Sequence, residues 1–174
     1  LEFRRVLFRS NLASRAIAMI EKYCDGKIPE VASEPMLEQA AAEAAIRADA
    51  AITALDFQGG ILAILDFCKS VNGYVTEKAP WVLAKDEAKK GELDQVLYAT
   101  CESLRILAVL FHPVMPQSSE KLWRSLGAEN LGAISAQRID SVATWGQLRA
   151  GTHTHRGEVL FPRLPENVNE EARG

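Results

Sequence analysis

Prolines divide this chain into segments, and inside the segments apolar residues return every three or four positions. That pattern commits it to helices before anything else is known. From Asn11 to Cys24 the residues Leu12, Ala16, Ile17, Met19, Ile20 and Tyr23 share one stripe, and Asp25-Gly26 stops it. Pro35, after Ser33 and Glu34, opens an alanine-rich second helix to about Leu55, with Glu38, Glu43, Arg47 and Asp49 as its solvated face. Asp56 is placed to cap a third helix carrying Phe57, Ile61, Ile64, Leu65, Cys68, Val71 and Tyr74 inward, weakened in its first turn by Gly59 and Gly60. It runs to about Lys78, where Pro80 ends it and restricts Ala79 to extended geometry. A fourth helix spans roughly Glu92 to Phe111, with Leu93, Val96, Leu97, Leu104, Leu107 and Leu110 inward, until His112-Pro113. Pro116 starts a short fifth through Leu122 and Trp123 to Gly127.

Beyond Gly127 the periodicity fades into loop, with a weak extended reading for residues 158–163 and a polar, fraying tail at 166–174. The expected architecture is therefore all-α: an antiparallel bundle of about five helices with a short extended C-terminal segment. At 174 residues, 48% of them hydrophobic, the chain suffices for one self-supporting core at residues 11–165. Residues 1–10, LEFRRVLFRS, are out of register with the helix that starts after Ser10 and read as a cloning or read-through scar. Setting aside Glu2, Arg4, Arg5 and Arg9 moves the formal charge from −3 to −5. An acidic domain has no broad electrostatic footprint for nucleic acid, so any contact with RNA must be local and chemically specific.

The function classes left open are narrow. No phosphate-binding loop, dinucleotide fingerprint, zincin helix or nucleophile elbow is present. Cys24, Cys68 and Cys101 are odd in number and lie in apolar helical patterns, which predicts buried free thiols in a reducing, cytosolic compartment. No stretch approaches a membrane span. His153-Thr154-His155 has no acidic or cysteine partner nearby and reads as exposed loop, so no metal site is expected. Phe111, Trp123 and Trp145 are assigned to core packing.

Two features carry chemistry. Asn11 and Arg15 lie four apart on one helical face, an amide beside a fork of N–H donors, which suits the edge of an unstacked base. From spacing alone, ordinary polarity at a helix start is the plainer explanation of the pair. Trp81, directly after the proline break that ends N-G-Y-V-T-E-K-A-P-W (72–81), can serve as a stacking platform or as a plug under the loop.

Taken together, NLASR (11–15), NGYVTEKAPW (72–81) and LFHPVMP (110–116) resemble the bacterial-type methionyl-tRNA synthetases over nearly the whole chain from Asn11 to Leu164. The resemblance implies a class I anticodon-binding helical bundle that recognises the CAU anticodon of methionine tRNA. It implies that Asn11, Arg15 and Trp81 surround the first anticodon base, with Asn72 as a second-rank contact. LFPRL (160–164) resembles the family's segment that folds back toward the catalytic body. By the same resemblance the catalytic fold is missing, so this segment should not activate methionine and should need no cofactor. ATP and magnesium, and zinc where the family's insertion is present, would belong to the absent part. The partners implied are tRNA and the catalytic domain of the parent chain, not a membrane. The related helical domain of a valine, leucine, isoleucine or cysteine enzyme, and a structural or protein-interaction bundle, stay open as alternatives.

Overall fold

A computed structural model describes residues 12–156. Its helices, in chain order, are α1 (Leu12–Tyr23), α2 (Pro35–Thr53), α3 (Phe57–Lys78), α4 (Pro80–Leu83), α5 (Lys90–Phe111), α6 (Pro116–Ser125) and α7 (Ile139–Val142). No strand is present among the described residues, apart from a single antiparallel bridge between Lys27 and His153. The all-α expectation holds. Residues 1–10, Asn11, the extended segment at 158–163 and the tail at 166–174 lie outside the described residues.

Local chemistry sets the helix ends. The Asp56 carboxylate accepts the Gly59 N–H at 2.9 Å, closing one of the orphan donors of α3. Asp56→Ala is expected to cost about 1 kcal/mol, read as a lower urea midpoint at unchanged slope. At the start of α2, Glu38 reaches back to accept from the Glu34 N–H at 2.9 Å and the Ser33 hydroxyl at 2.6 Å. Gly60, expected to weaken the first turn of α3, sits where α2 and α3 approach closely. A Cβ there would sit 3.2 Å from the Ile52 side chain and 3.6 Å from the Ala48 carbonyl. The alanines Ala41, Ala44, Ala45 and Ala48 of α2 are buried.

Ala79 departs from the extended geometry expected of a residue before proline. It is left-handed, φ 44° and ψ 62°. In that conformation its N–H still closes α3 on the Val75 carbonyl at 3.1 Å, and its own carbonyl accepts from Val82 at 2.7 Å to start α4. One residue thus ends one helix and begins the next, and both sets of backbone groups find partners.

α5 is the axis of the domain, buried without interruption from Val96 to Phe111. The expected one-sided stripe is therefore incomplete, because the region past Gly127 is not simply loop. Short 3-10 turns at Ala128–Leu131 and Ile134–Ala136, followed by α7, bring Ile134, Val142 and Leu148 into the core. α5 carries Glu102 and Arg105 toward this segment, both fully buried and paired at 2.8 Å. Glu102 accepts from the N–H groups of Gly146, Gln147 and Leu148, each at 3.0 Å, while Arg105 donates to the carbonyls of Val142 at 2.9 Å and Thr144 at 3.1 Å. The Tyr98 hydroxyl completes the clamp by donating to the Leu148 carbonyl at 3.0 Å.

The clamped segment in turn holds the loop after α1. Trp145 Nε1 donates to the Ala32 carbonyl at 2.9 Å, Ile28 N–H to Thr152, and Thr154 N–H to Gly26. Trp123 and Phe111 are core residues as expected, and Trp145 is half-buried against the core. Among the described residues no helix is long and apolar enough to cross a membrane.

Candidate nucleic-acid interface

The residues around the proline break meet α1 at one end of the domain. Pro80 and Leu83 are the buried feet of α4, so this four-residue helix turns Trp81 and Val82 outward, with Trp81 38% exposed. Arg15, exposed on α1, places its guanidinium carbon 5.2 Å from the centroid of the Trp81 ring. That is cation–π distance across two helices whose paired residues are 66 apart in sequence. Trp81 is therefore a surface ring and not a plug, and Arg15 is its immediate neighbour.

Asn72 is placed differently. It sits on α3 about 10 Å of helical rise before the break, half-buried. Its amide nitrogen donates to the Cys68 carbonyl at 2.9 Å and lies 3.7 Å from the Cys68 sulfur. One of its two amide N–H donors is thus committed to its own helix. Asn11 lies outside the described residues.

The thiols offer no competing chemistry. Burial pushes the Cys24 and Cys68 thiols up to about 11, and Cys101 is raised by burial as well, so all three are protonated at neutral pH and are poor nucleophiles. Cys24 departs from the expected burial: it is half-buried beside Lys90 and the Asp94 carboxylate, 3.7 and 3.5 Å from its sulfur. His153 and His155 are exposed, as their loop setting predicts. Among the described residues no group of three His, Cys, Asp or Glu side chains is arranged to hold a metal.

Spacing had not singled out Lys22 or Lys78, yet both are braced on rings of the helices that form this end. Lys22 lies over the Tyr23 ring at 5.1 Å and Lys78 over the Tyr74 ring at 5.9 Å. The one signal available in sequence was Lys78 three residues before Trp81. Nothing in the pattern tells a ring-braced lysine from a solvated one.

Compared with known proteins, residues 28–173 match the family model described as the anticodon binding domain of methionyl tRNA ligase. The chain belongs to this family. Among its relatives, a methionine–tRNA ligase of Streptomyces coelicolor is 49% identical over 164 residues, covering 90% of this chain and 30% of the relative. The ligase of Caldanaerobacter subterraneus is 36% identical, covering 88% of this chain and 24% of the relative. The solved methionyl-tRNA synthetase of Mycobacterium tuberculosis in complex with methionyl-adenylate superposes with a TM-score of 0.76 at 30% identity, over 88% of this chain and 30% of that one. The anticodon-binding domain described here thus spans about a third or less of the length of these relatives. The matches do not favour a valine, leucine, isoleucine or cysteine enzyme, nor a purely structural bundle.

Proposed function

We propose that this domain recognises the CAU anticodon of methionine tRNA, with the first base, cytosine, stacked on Trp81 and read at its edge by Arg15 and Asn11. The observation that carries the proposal is the exposed indole of Trp81 with the Arg15 guanidinium 5.2 Å from its centroid. A flat apolar face gives stacking energy to any base, whereas the guanidinium beside it supplies N–H donors in a fixed fork, which select an acceptor-bearing edge. The two together suit an acidic domain, because neither depends on net charge. Asn72, one step removed along α3, is a secondary contact at most, made through the part of its amide not engaged with Cys68.

Within the parent chain the domain would hold the tRNA by its anticodon so that the acceptor end reaches a catalytic part that makes and uses the aminoacyl-adenylate. ATP and magnesium belong to that part of the reading. A fluorescence titration with a CAU anticodon stem-loop, against one whose cytosine is replaced by another base, tests the proposal. The expected outcome is tighter binding of the CAU loop by about tenfold or more, the size of one specific base contact. Equal affinities for the two loops would overturn it.

A further inference from the structure

Among the described residues, the exposed cations differ in what holds them. Several are matched with carboxylates: Arg47 and Lys69 with Asp66, Arg124 with Glu120, Arg138 with Asp140. On the helices that build the Trp81 end, the cations that touch rings are Arg15, Lys22 and Lys78, on Trp81, Tyr23 and Tyr74 respectively. Lys22 and Lys78 have no carboxylate partner among the described residues. An aromatic face stabilises an ammonium group without neutralising its charge, so a lysine held this way keeps its full attraction for an anion. It also gives up less side-chain freedom on binding than a lysine free in solvent.

Their placement fits a strand passing over the indole. Lys22 is seven residues beyond Arg15 on α1, on the same helical face and about 10 Å further along the axis. Ala18, a small side chain, lies between them on that face. Lys78 is the last residue of α3, three before Trp81, on the other side of the break. A base stacked on Trp81 therefore has Lys78 three residues before that ring in the chain and Lys22 two turns beyond Arg15 along α1.

We propose that Lys22 and Lys78 hold the phosphates flanking the base stacked on Trp81, so that the anticodon strand is fixed by its backbone at two points and read at one. This rests on the anticodon reading above, and it divides the work: the lysines supply affinity without sequence preference, while Arg15 and Trp81 supply the choice of base.

The experiment measures binding of the CAU stem-loop, and of the loop with its cytosine replaced, from low to moderate salt. The proteins are the full chain and its variants Lys22→Gln, Lys78→Gln and the double variant, with Lys69→Gln as a control that removes an equal charge farther along α3. Each platform variant is expected to make the slope of log K against log salt shallower by about 0.7, and the double variant by about twice that, as for phosphate contacts on a single strand. The ratio of affinities for the two loops should stay at the wild-type value in all of them. Slopes unchanged in Lys22→Gln and Lys78→Gln, or a change of equal size in Lys69→Gln, would overturn the phosphate assignment while leaving base recognition standing. Wild-type protein that binds both loops equally, with slopes that still fall in the two variants, would overturn the base reading alone. No salt-dependent binding of either loop would overturn both.

Discussion

Glu102→Leu is expected to destabilise the domain by about 3–5 kcal/mol, the size of effect seen when one partner of a buried ion pair is removed. Leucine fills most of the space but accepts no hydrogen bond. It would leave the Arg105 guanidinium, already fully buried with Nε and Nη1 unpartnered, without its counter-charge. It would also strand the N–H groups of Gly146, Gln147 and Leu148. The measurement is urea unfolding followed by circular dichroism, where the midpoint should fall steeply at a nearly constant slope. The double variant Glu102→Leu with Arg105→Met should recover much of the loss, because with both charges gone the site is apolar and only the backbone groups remain unpaired. A single variant as stable as the wild type would show that the clamp on residues 142–148 contributes nothing net.

Trp81→Ala addresses function in the way that Glu102→Leu addresses the fold. Base stacking on an aromatic side chain is worth about 1–3 kcal/mol, so the CAU stem-loop should bind roughly 5- to 150-fold more weakly. Most of the preference for cytosine should go with it, because Arg15 loses the surface that orients its fork. The fold should survive. Pro80 and Leu83 keep α4 seated, and the partly exposed indole contributes little to the core. Circular dichroism should therefore be unchanged, and Trp81→Phe should restore part of the affinity by restoring a ring. Loss of helicity in Trp81→Ala would instead place the indole among the structural aromatics with Trp123.

Much of the fold was legible because helices announce themselves locally. The spacing from Leu12 to Tyr23, the Asp56 cap, and the prolines at 35, 80 and 116 marked elements whose bounds match the structure within a few residues. The candidate site was legible by a different route. Spacing left Trp81 balanced between platform and plug, and only the match of whole motifs to a family gave it a role. The structure then added the exposure of the ring and the approach of Arg15.

What the sequence could not yield are the features made by residues distant along the chain. Ala79 was expected to be extended from the proline rule alone, yet the demand that both α3 and α4 close their backbone hydrogen bonds selected the left-handed region. Residues 128–148 have no periodicity because they are not one element. Their apolar side chains answer to α5 and not to one another, so their burial cannot be counted off in threes and fours. Glu102 and Arg105 look like ordinary helix-surface charges at i, i+3 until that segment covers them. By itself the sequence determined which stretches are helical, where they stop, and which family's motifs they carry. Only the tertiary structure decided which charges are buried, which are braced on rings, and that Arg15 stands against Trp81. Helical propensity acts between neighbours a turn apart, whereas burial and charge pairing depend on which distant surfaces the packed helices bring together.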